Sequence, residues 1–102
     1  GGPDWQGATP IISKVGAADV SVSWEKPANG GSPIIGYYVD MEAAGDGVWE
    51  RIYDGVNKAG VLSITATGLH ASLTYRFRVF AVNRVRASDA AEASIRISDR
   101  MA

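Results

Sequence analysis

Apolar and polar residues alternate along most of this chain with a period of two. Val20, Val22 and Trp24 fall on one face of residues 20–25, and Ser21, Ser23 and Glu25 fall on the other. That alternation predicts a half-buried strand, because successive side chains of an extended backbone point to opposite sides. Ile35, Tyr37, Val39 and Met41 alternate in the same way with Gly36, Tyr38, Asp40 and Glu42. A shorter strand is predicted around residues 48–54. Another follows where Leu62, Ile64 and Ala66 interleave with Ser63, Thr65 and Thr67. The clearest alternation sets Tyr75, Phe77, Val79 and Ala81 against Arg76, Arg78, Phe80 and Val82. Ile95 and Ile97 mark a last strand, and residues 10–14 a first edge strand whose start suits Pro10.

Turn residues separate these runs. Residues 26–33 contain two prolines and a Gly-Gly pair, and Asp46-Gly47 is a hairpin signal. No segment carries a helical period. Seven short strands with turns between them predict an all-β, antiparallel sandwich, not alternating strand–helix units. Residues 1–7 read as a flexible N-terminal segment, 8–98 as the domain and 99–102 as a tail.

In this order and spacing, four stretches resemble the fibronectin type III family over roughly residues 8–98. They are Trp24 with Pro27 after it, Gly30 to Val39, Leu69 followed by Tyr75, and Arg78 to Asn83. The resemblance implies an immunoglobulin-like sandwich with Greek-key connections. Its core would contain Trp24, Tyr37, Val39, Leu69, Tyr75, Phe77 and Val79. The Tyr75 hydroxyl would return to a backbone group near Leu69 or His70 and pin the crossover between sheets. The chain departs from the family at Ala71, Leu73, Arg86 and Ala90. Where the family places glycine, Arg86 requires either a different turn or a strained one.

Chain length and composition agree with one such domain. The 102 residues suit a single core, and the absence of cysteine excludes disulfides, thiol nucleophiles and Cys-ligated zinc. No apolar run approaches the roughly 20 residues of a membrane helix. The formal net charge is −1, yet it is unevenly placed. Residues 1–75 hold four Lys/Arg against eight Asp/Glu, and residues 76–102 hold six Arg against three acids. Such asymmetry marks either a binding face or two halves that neutralise each other.

Little catalytic chemistry is on offer. His70 is the one histidine and reads as a solvated turn residue. Asp40 and Glu42 share an outer strand face and read as solvated, without the converging oxygens a calcium ion wants. Gly45-Asp46-Gly47 is a turn that lacks a phosphate-loop lysine, and Arg84 to Asp89 contains no Arg-Gly-Asp. The chain therefore reads as non-catalytic, with no cofactor and no metal.

Binding is the better reading. If Tyr75, Phe77 and Val79 point inward, then Arg76, Arg78, Phe80 and Val82 point outward, with Tyr38 and Arg96 on the same face. Aromatic and aliphatic groups ringed by arginine have the composition of a protein interface. Arg84 and Arg86 form a second basic point on a loop. The expected partners are proteins, either neighbouring domains or another chain, with no nucleic acid and no membrane insertion by this domain. The isolated domain is expected to be monomeric. Gly30 to Met41 looks most like modules of giant muscle proteins of the titin, myosin-binding and myomesin kinds. That implies a cytoskeletal spacer and interaction module, with an extracellular adhesion or receptor module, or a linker domain of a secreted enzyme, as alternatives.

Overall fold

A computed structural model describes residues 1–99. Among them are seven strands and no helix: β1 (Ile11–Gly16), β2 (Asp19–Ser23), β3 (Gly36–Ala43), β4 (Glu50–Asp54), β5 (Ser63–Ala66), β6 (Thr74–Val82) and β7 (Ala91–Arg96). They form two antiparallel sheets, ordered β1-β2-β5 and β4-β3-β6-β7. The chain crosses between sheets after β2, after β4 and after β5, which closes them into a sandwich.

Period-two patterning decides which side chains meet. Val20, Val22 and Trp24 extend inward from the first sheet, and Tyr37, Val39, Tyr75, Phe77, Val79 and Ala81 from the second; all are buried. Trp24 lies 5.3 Å from Tyr37, ring centre to ring centre, and bridges the layers. Leu69 is buried, and Leu73 packs against the core edge. The Tyr75 hydroxyl accepts a 2.8 Å hydrogen bond from the His70 backbone N–H, tying the β5–β6 crossover to β6. Gly36 lets two backbones touch, because a Cβ there would lie 2.1 Å from the Gly55 carbonyl oxygen.

Two expectations change and one open alternative is decided. First, residues 1–7, expected as a flexible segment, are packed against the sandwich. Asp4 N–H donates to the Ala28 carbonyl at 2.9 Å, and Trp5 is buried within 6.4 Å of the Tyr37 ring. The large apolar ring of Trp5, six residues ahead of β1, gains burial by folding the segment back onto the sandwich. Of the expected tail, only Asp99 lies within the described residues.

Second, of the two readings of Arg86 the different turn holds, because Arg86 carries no left-handed backbone. Among the described residues, the non-glycine positions with positive φ are Gln6, Ala44, Asn57 and Ser72. The loop turns instead on Asn83, whose Oδ1 accepts from the Val85 and Arg86 N–H groups at 2.9 and 3.0 Å. Third, Val82 is buried. It sits at the end of β6, where Ile35 N–H donates to its carbonyl and the β6–β7 loop folds back over it through a bridge to Ala87.

Candidate interaction face

The outer face of the four-stranded sheet is built by cross-strand register. Tyr38 of β3 stands opposite Phe80 of β6, Asp40 opposite Arg78, and Glu42 opposite Arg76. Each of the last two pairs sets opposite charges directly across neighbouring strands. From the other side, β4 sets Arg51 opposite Asp40. Asp40 therefore accepts from two arginines, Arg51 Nε at 2.8 Å and Arg78 Nε at 3.1 Å. Glu42 accepts from Arg76 Nη1 at 3.2 Å and from the Gly47 N–H at 3.0 Å. Arg76 Nε also reaches Glu92 on β7 at 3.0 Å.

Aromatic rings fill the gaps between the guanidinium groups. Arg51 Cζ lies 4.0 Å from the Tyr38 ring centre and 5.9 Å from that of Phe80. Arg78 lies 5.3 Å from Phe80 and 4.2 Å from Trp49, and Arg76 4.9 Å from Trp49. The result is one row, Tyr38–Arg51–Phe80–Arg78–Trp49–Arg76, above a layer of carboxylates. Cation–π contacts of this kind are worth about 0.5–1 kcal/mol each at exposed sites.

The carboxylates reverse an expectation. Asp40 and Glu42 are only 3% and 2% exposed, not solvated. The long arginine stems and the rings cover them, and burial is tolerated because each keeps charged donors. Burial alone raises the Asp40 carboxyl pKa, but the hydrogen bonds and charges of Arg51 and Arg78 outweigh it and hold the group below the usual carboxylate range. Three arginines thus meet three acids, Asp40, Glu42 and Glu92, and much of the charge asymmetry along the chain is neutralised within one sheet face.

Of the residues singled out for binding, the fold brings Tyr38, Arg76, Arg78 and Phe80 together. It does not bring the others. Val82 is buried. Arg96 pairs with Thr74 in register, at the far end of β6 from Phe80, and bonds Asp99 at 3.2 Å. Arg84 and Arg86 stay exposed on the β6–β7 loop, off the row. Sequence reasoning missed Trp49, Arg51 and Glu92. The spacing of Trp49 and Arg51 two residues apart was a usable signal that they share a face. Among the described residues no three His, Asp or Glu side chains group as metal ligands, and no helix is long and apolar enough to cross a membrane.

The family model described as the fibronectin type III domain matches residues 8–94. The chain belongs to the fibronectin type III family. This fibronectin type III chain is 36% identical over 89 residues to human cardiac-type myosin-binding protein C, which covers 85% of it. It is 33% identical over 85 residues, 83% of its length, to human cell adhesion molecule-related/down-regulated by oncogenes. Domains A168–A170 of titin superpose on 96% of it with a TM-score of 0.72 and 26% identity, using 33% of the titin chain. The chain spans 7% of the myosin-binding protein and 6% of the adhesion relative. It is a structural and interaction module of the type these muscle and adhesion proteins contain.

Proposed function

We propose that this module is a non-catalytic spacer and protein-binding unit of a longer cytoskeletal or muscle-type array, monomeric on its own. Its contact surface is the outer face of β4-β3-β6-β7. The observation that carries this reading is the unbroken row of three rings and three guanidinium groups across that face. Arginine and aromatic side chains are the residue types that dominate binding hot spots, because they present large, rigid contact area. Pairing with Asp40, Glu42 and Glu92 holds the arginines in place before any partner arrives, which lowers the ordering cost of association.

The paired charges also shape the partner. A self-neutralised row offers flat ring and guanidinium faces more than net charge, so a protein surface of mixed apolar and polar character suits it. A module of an adhesion protein is the second reading, favoured by the 33% identity to the adhesion relative. Flanking sequence separates the two: a membrane span supports adhesion, and intervening immunoglobulin-like domains without one support a muscle array. The contact face is tested by Tyr38→Ser and Phe80→Ser in binding measurements against the adjoining domain or a candidate partner. Binding should weaken at least tenfold, a hot-spot loss of about 1.4 kcal/mol or more. Undiminished binding by the folded double variant would refute the assignment.

A further inference from the structure

The segment ahead of the family-matched region is fastened at one pole of the sandwich, between the β2–β3 loop and the β6–β7 loop. Four anchors hold it. The Gly1 nitrogen donates to the Gly30 carbonyl at 2.8 Å. Asn83 Nδ2 donates to the Gly1 carbonyl at 2.9 Å and to the Asn29 carbonyl at 2.7 Å, so one buried side chain clasps the segment and the β2–β3 loop together. Asp4 bridges to Ala28, and Trp5 is sunk into the core cluster. Gly2 and Pro3 alone separate the first two anchored residues along the chain, and the Pro3 ring fixes its own φ.

Behind the anchors, the chain reverses tightly into β1. Gln6 and Gly7 take φ values of 54° and 82°, the Ala8 N–H donates to the Trp5 carbonyl at 3.0 Å, and the Gln6 N–H donates to Asp4 Oδ1 at 2.8 Å. Glycine at position 30 is required by the same fit. Its φ is +73°, and a Cβ there would lie 2.3 Å from the Gly2 carbonyl oxygen. The opposite pole is closed in a comparable way, with Ile97 buried, its N–H on the Leu73 carbonyl at 2.9 Å, and Ser72 Oγ bonded to Asp99.

From this geometry we infer that residues 1–8 and Asn83 form a joint, which fixes where polypeptide joined ahead of Gly1 leaves the module. The inference rests on the spacer reading, since a joint acts only where another unit adjoins. The Asn83 bond to the Gly1 carbonyl, the Asp4–Ala28 bridge and the burial of Trp5 do not use the amine, so these three anchors are independent of extension of the chain. An untethered segment of eight residues would sweep roughly 15 Å end to end as a flexible coil, and the anchors remove that freedom.

The absence of cysteine makes the test direct. Gly1→Cys creates a single site for a nitroxide label, and a Cβ at Gly1 meets no atom within 4 Å. The electron paramagnetic resonance line shape is recorded for this chain alone and combined with Gly30→Ala or Asn83→Ala. Amide protection of β6 is followed in parallel, to show that the sandwich is intact. The label should tumble with the whole module in the parent, and its correlation time should fall roughly tenfold in either folded variant, to the local motion of a free terminus. A label already mobile in the parent overturns the joint. So does a label equally immobile in the folded Gly30→Ala and Asn83→Ala chains. The label reports on the pole and the Phe80 binding assay on the sheet face, so either reading can fail without the other.

Discussion

Asp40→Asn isolates the charge at the centre of the arginine–aromatic row. The substitution keeps the shape of the side chain and removes the negative charge that receives Arg51 at 2.8 Å and Arg78 at 3.1 Å. Breaking a fully buried ion pair costs about 3–5 kcal/mol, and an exposed one about 0–1. This site lies between those limits. The carboxylate side chain is 4% exposed, while the arginines are 46% and 30% exposed and rehydrate partly once released. A loss of about 2 kcal/mol at neutral pH follows, equivalent to a fall in Tm of about 8–16 °C for a domain of this size.

The same loss must depend on pH. In the folded protein the Asp40 pKa is held below its ordinary value, so its contribution is present above the unfolded-state carboxylate pKa and disappears as pH falls through the folded value. Urea unfolding followed by tryptophan fluorescence, at pH 7 and at about pH 2, compares the ionised carboxylate with acid conditions that favour its protonation. The two chains should differ by about 2 kcal/mol at neutral pH and by less in acid, with unchanged m-values. A difference of the same size at both pH values would show that packing, not charge, is responsible. No difference at neutral pH would show that the ladder does not stabilise the fold.

Two other substitutions probe the scaffold that carries the face. Tyr75→Phe deletes the hydroxyl that accepts from His70 N–H and should destabilise the domain by about 1–2 kcal/mol in the same urea assay, with binding by the sheet face unaltered at temperatures where the domain is folded. Gly36→Ala forces a Cβ against the Gly55 carbonyl, and because both contacting groups are backbone it should cost about 3 kcal/mol and loosen β3 from the segment after β4, read as faster amide exchange at Gly55 and Asn57.

Local alternation was enough to assign the inward residues of β2, β3 and β6. Val20, Val22 and Trp24, then Tyr37 and Val39, then Tyr75, Phe77 and Val79 are separated by two residues each, and an extended backbone sends such sets to one side whatever the rest of the chain does. Tyr38, Arg76, Arg78 and Phe80 follow by the same parity, so four members of the candidate face were legible. Trp49 and Arg51 share their spacing, but nothing in residues 49–54 alone says which side is outside.

Register between strands decided the remainder. A bulge between Val39 and Asp40 pairs Tyr53 with Val39 yet Arg51 with Asp40, so two residues of equal parity face opposite layers. Only that irregularity brings Arg51 over Asp40. Arg96 has the right parity and the wrong height, since β7 aligns it with Thr74. The burial of Asp40 and Glu42 depends on Trp49 and on arginine side chains from β4 and β6 arriving above them. The packing of residues 1–7 depends on Asn83, 82 residues from Gly1 along the chain. Along this chain, the sequence by itself determined the side of the sheet to which most strand residues point, because that is a property of neighbouring backbone units. Tertiary structure alone decided which residues meet on that side, because pairing distant strands sets height, cover and partner together.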